Sequence, residues 1–250
     1  MSQINGTSVL VYVDGTLLAT QTDCTITVDQ ELLPTTNKSS GGWASHINGT
    51  KSGSVSCGAL WSTTGLSSDS LIASLIAGSS VLLMMDISNV TMVGIADISS
   101  TSIEAPTEGV ATISVEFQCT GGLYILTGDS VQLLTGWTNG TYDTFSTTGT
   151  TITSAIQDSG ASYAVSNGID ITDEDVVKIL TYVTYTSGEY PTFTLKASAG
   201  GAAVSNAVQT GNGASLMTLT ATATDSTSVL EITNTGATSF AIGLTYVFKV

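Results

Sequence analysis

Residues 111–118 read Ala-Thr-Ile-Ser-Val-Glu-Phe-Gln, and this strict alternation of apolar and polar side chains decides the fold class. A period of two places Ile113, Val115 and Phe117 on one face of an extended strand, with hydroxyl, acidic and amide side chains on the other. The same period recurs in residues 23–28 and 52–57. We therefore expect sheets with one buried and one polar face.

The composition favours strands and turns throughout the chain. Ser and Thr together supply 75 of the 250 residues, Gly supplies 26 and Pro only 3. Thr, Val and Ile favour strands, whereas Gly, Asn, Asp and Ser favour turns. The sequence thus predicts a mainly all-β protein.

The first 125 residues predict several strands, one of them over residues 91–99, and a single short helix. Asp14-Gly15 is a strong hairpin-turn signal between two apolar runs. Ser67-Ser68-Asp69 is a capping sequence, residues 70–77 carry apolar side chains at helical spacing, and Gly78 ends the pattern. The polar residues 29–50 show no strand pattern and are expected to form a long loop.

The second half predicts strands alone, recurring every 10 to 20 residues with turn residues between them. We expect strands at 137–145, 150–156, 176–185, 192–198, 216–223, 229–233 and 240–250. This spacing is typical of a jelly-roll-like or immunoglobulin-like β-sandwich. A linker near 122–134 would divide the chain into domains 1–125 and 126–250.

The charge excludes a nucleic-acid binder of the usual electrostatic kind. The formal net charge is −15, with five Lys and no Arg, so few cations can displace counterions from phosphates. No apolar run approaches the roughly 20 residues of a membrane-spanning helix, and the N-terminus lacks the features of a secretory signal.

The residues predict neither an enzyme nor a cofactor or metal protein. The single histidine, His46, lies beside Ser45 without the sequence context of a nucleophile elbow. Cys24, Cys57 and Cys119 are widely separated and predict buried free thiols rather than zinc ligands. The acidic cluster at 170–175 could bind Ca²⁺, although a solvated turn is the simpler interpretation.

Several segments, in order and spacing, resemble the major tail tube proteins of long-tailed bacteriophages. They are residues 7–15 (TSVLVYVDG), 37–43 (NKSSGGW), 49–60 (GTKSGSVSCGAL), 94–98 (GIADI), 105–117 (APTEGVATISVEF) and 121–123 (GGL). The resemblance covers about residues 4–125. It implies a β-sandwich with one flanking helix, assembled as stacked hexameric rings that conduct DNA into a bacterial host.

The resemblance also implies a place and partners. The protein would be assembled in the host cytoplasm and would occupy the virion tail, beside the tape measure, tail terminator and distal tail proteins. Residues 29–51 would form the loop that reaches the next ring. The candidates for this contact are Leu33, Pro34, Lys38, Gly42, Trp43 and His46.

The polar strand faces are candidates for the lumen of such a tube. They are Asp23, Thr25, Thr27, Ser54, Ser56, Thr112, Ser114 and Glu116. A wall of hydroxyls and acids without cations would let double-stranded DNA pass without binding it. A plain solvent-exposed face in a lysine-poor protein is the alternative.

The second half is similar to small β-sandwich modules appended to phage structural proteins, some of which bind carbohydrate. Trp137, Tyr142 and Phe145 could form a platform for host polysaccharide, or Trp137 could be the core Trp of the sandwich. Two other functions remain open for the whole chain. It could be a host-binding adhesin or tail fibre component, or the inner tube of a contractile injection machine.

Overall fold

The computed structural model describes residues 9–18, 21–36, 41, 43–62, 66–87, 90–126, 134–243 and 245–250. Across these residues there are three antiparallel sheets and a single helix. The all-β fold class expected from the alternating sequence is therefore confirmed.

The N-terminal half, residues 9–126, forms one seven-stranded sheet. Its elements are β1 (Val9–Val13), β2 (Thr16–Leu17), β3 (Gln21–Pro34), β4 (His46–Leu60), α1 (Ser68–Ala77), β5 (Val81–Ile87), β6 (Val90–Glu104) and β7 (Thr112–Leu126). The strand order is β2-β1-β5-β6-β7-β4-β3, and every neighbouring pair is antiparallel. Strand β3, 14 residues long, lies at one edge of the sheet.

This sheet curls around a single apolar core. Buried side chains from β1, β4, β5, β6 and β7 form one cluster, and Cys24 and Ile26 of β3 pack against it. The long strands β6 and β7 join a layer containing β1 and β5 to a layer containing β3 and β4, and register shifts in their pairing bend them. On the open side, Gln21 of β3 bonds to the backbone of Val9 and Val11. One face of the sheet therefore lines the core, and the other face forms the outer surface of both layers.

The predicted turn and helix are both present. Asp14 and Gly15 have φ angles of 50° and 80°, as a two-residue turn between β1 and β2 requires. Helix α1 has Ser67 at its N-cap and ends at Gly78, whose φ of 63° is left-handed. Leu71 is buried in the core, which fixes the helix on the flank of the sheet.

The long loop expected at residues 29–50 is in large part a β-ribbon, and that expectation is wrong. Strand β3 continues to Pro34 and β4 begins at His46, with Leu33 opposite Ile47 and Pro34 opposite His46. The segment alternates poorly because both of its faces are exposed, so no buried face imposes a period of two. We call residues 29–51 the arm.

The C-terminal half, residues 134–250, contains two sheets packed face to face. Its strands are β8 (Trp137–Asn139), β9 (Thr144–Thr148), β10 (Thr151–Gln157), β11 (Ser162–Ile171), β12 (Val176–Gly188), β13 (Thr192–Lys196), β14 (Ala203–Gln209), β15 (Gly213–Thr220), β16 (Asp225–Asn234), β17 (Thr238–Ile242) and β18 (Tyr246–Lys249). One sheet has the order β15-β12-β17-β10-β9, with β18 also paired to β12, and the other has the order β14-β13-β16-β11-β8.

A second apolar core lies between these two sheets and includes Trp137, Phe193 and Phe240. Most predicted strands are present, but the expected strands at 137–145 and 240–250 are each broken into two. Strands β11 and β14 were not predicted. Register shifts interrupt the alternation of β11 between Val165 and Gly168, which explains why the sequence does not reveal it.

A third apolar cluster joins the two halves of the chain, and we call it the junction. Leu82 and Val93, on the outer face of β5 and β6, pack with Leu180, Tyr246 and Phe248 of the C-terminal half. The rings of Tyr124 and Phe248 lie 5.2 Å apart. The C-terminal half therefore covers the outer face of the β1–β5 layer, on the side opposite to β3 and β4.

Candidate functional site

The eight lumen candidates share one face of the N-terminal half. In the layer formed by β3, β4, β7 and β6, Thr25 pairs with Ser56, Ser56 with Glu116, and Glu116 with Ser100, which makes one polar row across four strands. Neighbouring rows complete a surface that we call the polar face. Its members are Asp23, Thr25, Thr27, Ser54, Ser56, Asp97, Ser100, Ser102, Glu104, Thr112, Ser114, Glu116 and Gln118.

Strand alternation separates this face from the core. Val55, Cys57 and Ala59 of β4 are buried, while Ser54 is half-buried and Ser56 is exposed. Strand β7 has the same pattern from Ile113 to Phe117. The period of two in the sequence therefore identified the two faces correctly.

The C-terminal part of β6 adds polar residues that the sequence reasoning missed. The predicted strand ended at Ser99, but β6 continues to Glu104 and places Ser100, Ser102 and Glu104 on the polar face. The signal available in the sequence was the alternation of Ser100, Ser102 and Glu104 with Thr101 and Ile103. The register shift between Ile98 and Ser100 hides it, because two successive residues, Ser99 and Ser100, are both exposed.

The polar face carries acids and no base. Asp23, Asp97, Glu104 and Glu116 contribute carboxylates to it. Lys51 is the single lysine in the four strands. It alternates with Ser52 and so lies on the opposite side of the ribbon. The field of this surface is therefore negative along its whole length.

Hydrogen bonds hold three of these acids in place. Ser100 Oγ donates to Glu116 Oε2 at 3.0 Å, and the backbone N–H of Gly58 donates to Asp23 Oδ1 at 3.1 Å. Asp97 accepts bonds from Ser80 and Thr120 at 2.6 and 2.8 Å, and these two bonds lower the pKa of its carboxyl group. Donors to a carboxylate favour its ionised form.

The arm carries most of the ring-contact candidates, although not in a loop. Leu33 and Pro34 lie in β3 and His46 lies in β4, while Trp43 is in the connection and is 82% exposed. Lys38 and Gly42 lie outside the described residues. Large apolar side chains are exposed along the arm and the adjoining part of β3: Val28, Leu32, Leu33, Trp43 and Ile47. Such a ribbon is a surface for contact with another chain.

The aromatic candidates of the C-terminal half pack into its core. Trp137 and Tyr142 are only 7% and 4% exposed, and Phe145 is half-buried and stacks on Tyr142 with ring centroids 5.8 Å apart. Trp137 Nε1 donates to the Thr150 carbonyl at 3.1 Å, and the Tyr142 hydroxyl donates to Asn234 at 2.6 Å. The faces of Trp137 and Tyr142 are therefore not free for a sugar ring.

An exposed groove that the sequence reasoning missed lies elsewhere on this half. A cavity of about 460 Å³ is lined by Glu189, Tyr190, Gln209 and Thr235, and the Tyr185 ring packs on the Tyr190 ring at 4.4 Å. These residues come from three distant segments. A single sequence gives no signal that they meet.

Beside this groove lies a buried ion pair. Lys196 Nζ is 2.6 Å from Glu231 Oε1, whose side chain is 1% exposed, and the Gly200 backbone N–H donates to Glu231 Oε2 at 2.7 Å. The pair lines a second cavity, of about 420 Å³, with Tyr163. We call the two adjoining cavities the outer groove.

The described residues contain no group of three or more His, Cys, Asp or Glu side chains that could hold a metal ion. In the acidic cluster at 170–175, Asp175 forms an ion pair with Lys249 at 2.8 Å and accepts the Thr172 N–H. The Lys249 and Thr172 bonds lower the pKa of Asp175. In the described part of the chain, no helix has the length and apolar character needed to cross a membrane.

Comparison with known proteins gives a family match for the N-terminal half. Residues 4–124 match the family described as phage tail tube protein. No curated protein sequence matches the chain.

Three solved structures align with the chain at low identity. A chain from the virion of a native gene transfer agent particle has 20% identity and a TM-score of 0.46, and the alignment covers 50% of this chain and 98% of that one. A chain from the tail of an empty gene transfer agent particle has 18% identity and a TM-score of 0.44, with 49% and 98% covered. The Dit protein of phage SPP1, from a hub adsorption apparatus, has 9% identity and a TM-score of 0.30, with 95% and 99% covered.

Proposed function

We propose that this chain, whose residues 4–124 belong to the phage tail tube protein family, stacks as hexameric rings around a bore through which the genome is ejected. Family membership makes it a structural, non-enzymatic protein of the virion tail. The hexameric ring and the passage of DNA are the parts of this proposal that go beyond the family match.

The observation that carries the proposal is the position of the polar face. It lies on the β3–β4 layer, whereas the C-terminal half packs on the outer face of the opposite layer. A tube wall needs one surface toward the bore and one toward the outside. The sandwich supplies both, with the polar face inward and the C-terminal half outward as a decoration.

The chemistry of the polar face suits a conduit for DNA. Duplex DNA carries one negative charge per ~1.7 Å of its axis, and proteins hold it by releasing counterions with Lys and Arg. The polar face has four acids and no base, so it cannot release counterions in this way. Its hydroxyl groups keep it wetted without attracting phosphate.

Strand β3 supports assembly into a ring. It is an edge strand of 14 residues, paired with β4 on one side only. A long edge with exposed backbone donors and acceptors pairs readily with another chain. We propose that neighbouring subunits cover this edge, and that the arm with its exposed Trp43 contacts the next ring.

A charge reversal on the polar face tests the proposal. Asp23→Lys with Glu116→Lys removes two acids and adds two bases per subunit. The matched control is Asp170→Lys with Asp173→Lys, which makes the same charge change at two exposed sites of the C-terminal half. Asp23→Asn with Glu116→Gln checks that losing the carboxylates alone does not prevent folding.

We expect virions with the polar-face lysines to assemble tails of normal length and to eject DNA about tenfold more slowly, because rings of cations hold phosphate. Virions with the control lysines should eject normally. Normal ejection by the polar-face variant would mean that this surface does not line the bore.

A second candidate function, contact with host-surface glycans, is supported by the outer groove. Tyr190 presents an exposed aromatic ring, and amide, hydroxyl and carboxylate groups surround it. Sites of this kind combine an apolar surface with a few placed polar groups. Many copies along a tail would strengthen weak binding by multivalency.

Adsorption of purified tails to host polysaccharide tests the groove. Tyr190→Ala should weaken adsorption about tenfold or more. The control Asp170→Ala, at an exposed site of the same half that lines neither cavity, should leave adsorption unchanged. Equal adsorption by the wild type and Tyr190→Ala would exclude the groove.

The same preparations separate the two rival functions. An adhesin would not form tubes by itself, and an inner tube of a contractile machine would co-purify inside a sheath protein. Imaging of the purified chain and of its native particle distinguishes the three functions.

A further inference from the structure

Two of the three cysteines face each other across the edge of the sheet. Cys24 of β3 lies directly opposite Cys57 of β4 in the strand register, and their Sγ atoms are 3.4 Å apart. Both thiols are free. A disulfide needs an S–S distance of about 2.05 Å, so the sulfur atoms must approach by roughly 1.4 Å, within reach of side-chain rotation.

The two thiols differ in access and in acidity. Cys24 is half-buried beside the edge of the sheet, whereas Cys57 is 1% exposed. The Cys57 thiol donates a hydrogen bond to Cys24 Sγ, which lowers the pKa of Cys24 and raises the pKa of Cys57. Cys24 is therefore the thiol that an oxidant meets first, and its thiolate is the favoured nucleophile.

The third cysteine is too far away to compete. Cys57 is paired with Val115 on β7, and Cys119 lies four residues further along that strand. At about 3.3 Å per residue of extended strand, Cys119 is about 13 Å from the Cys57 position. Burial raises the pKa of Cys119, so its thiol is also less reactive.

We propose that Cys24 and Cys57 form an oxidisable pair that a low-molecular-weight disulfide, such as oxidised glutathione, converts to a disulfide between β3 and β4. The Cys24 thiolate attacks one sulfur of the small disulfide and expels a thiolate. Cys57 then loses its proton and attacks Cys24 Sγ of the mixed disulfide, expelling the second thiolate. The protein loses two hydrogens, and the small disulfide is reduced to two thiols.

The cross-link would act on β3, the edge strand that we propose neighbouring subunits cover. Strand β3 is paired along its length by β4 alone, so fraying of the edge requires the separation of these two strands. A covalent bond at Cys24–Cys57 would prevent that separation at the base of the arm. Reducing conditions would keep the edge free to open, and oxidising conditions would lock it.

The test is oxidation of the purified full-length chain with oxidised glutathione, followed by thiol counting in denaturant and peptide mapping. The wild type should fall from three reactive thiols to one, lose two hydrogens in mass, and yield a cross-linked peptide containing Cys24 and Cys57. Cys119→Ser should give the same cross-link. Cys57→Ser should retain glutathione on Cys24, because the resolving thiol is gone.

A second measurement shows that the cross-link closes within the native fold. The oxidised wild type should unfold several degrees higher than the reduced protein, and the oxidised Cys57→Ser variant should not. Three free thiols after oxidation, glutathione retained on wild-type Cys24, or a cross-link that includes Cys119 would each overturn the proposal.

Discussion

Removing the C-terminal half should destabilise the N-terminal half, even though the two have separate cores. A truncation after Leu126 keeps the whole of β7 but removes the side chains that cover Leu82 and Val93 at the junction. These two residues are 1% and 0% exposed in the intact chain. Fully burying one such side chain is worth about 1.5–3 kcal/mol, so exposing both costs about 3–6 kcal/mol.

That cost is large beside the 5–15 kcal/mol that typically holds a domain folded. The truncated chain should therefore unfold at lower urea concentration than the N-terminal half of the intact chain, and its exposed apolar patch should promote aggregation. Urea denaturation followed by circular dichroism, with light scattering for aggregation, measures both effects.

A double substitution distinguishes the exposure of the junction from other effects of removing the C-terminal half. Leu82→Thr with Val93→Thr places a β-branched residue, which favours strands, at both positions but makes the surface polar. In the truncated chain it should restore solubility and allow smooth, thinner tubes to form. In the intact chain the same pair should cost about 3–6 kcal/mol, because it leaves gaps and unpaired hydroxyls in the junction.

Opposite effects of one substitution in two contexts are the signature of a covered surface. A truncated chain that is as stable and soluble as the intact protein would refute the contribution of the junction. If the substituted truncation folds but forms no tubes, the C-terminal half is part of the wall rather than a decoration.

Three other predictions concern the arm, a turn and the buried ion pair. Replacing residues 36–44 with a short turn, which keeps β3 and β4 intact, should leave rings that do not stack into long tubes in negative-stain images; long tubes would exclude the arm from stacking. Burial raises the pKa of Asp14 from 3.8 to about 6. The folded state therefore binds the proton of the Asp14 carboxyl group more tightly than the unfolded state does. The stabilisation from this proton is complete below about pH 4 and is lost as pH rises through 6. At 1.36 kcal/mol per pKa unit, the loss of stability is about 3 kcal/mol. Asp14→Asn keeps an acceptor for the Leu82 N–H and should abolish this pH-dependent loss, as measured by urea titrations at pH 4 and 7.5. Lys196→Met should cost about 3–5 kcal/mol by leaving Glu231 buried without a cation, and adding Glu231→Gln should recover much of that loss; equal stability of Lys196→Met and wild type would show that the pair contributes little.

The sequence predicted elements whose apolar side chains recur at an uninterrupted spacing, such as β7 and α1. Strand β7 alternates because one face meets the core and the other meets solvent, and the predicted inward set from Ile113 to Phe117 is the buried set. Helix α1 was predicted from its cap, its apolar spacing and Gly78. Each of these signals is local, so no knowledge of the tertiary fold was needed.

The arm was not predicted as strands because its two faces are alike. The arm is exposed on both sides, so its residues carry no alternating signal although they pair in register. The opposite case is Val81–Met85, which is apolar at every position because one face meets the core and the other meets the junction. A strand that is apolar on both faces is a sign of a covered outer surface, and this sign was available in the sequence.

Contacts between distant segments were beyond the reach of the sequence. The meeting of Cys24 with Cys57 depends on the register of β3 against β4, which the order of residues does not reveal. The outer groove depends on the packing of Glu189, Tyr190 and Gln209 from separate strands and turns. Aromatic residues such as Trp137 serve equally well in a core or on a sugar platform, and packing alone decides which.

The most direct test of the central claim is a helical cryo-EM reconstruction of tubes assembled from the full-length chain. We predict a bore lined by the polar face, with Asp23 and Glu116 toward the axis, strand β3 covered by the neighbouring subunit, and the C-terminal half projecting from the outer surface. A reconstruction with the polar face on the outside or buried between subunits, or with the C-terminal half around the bore, would contradict the account.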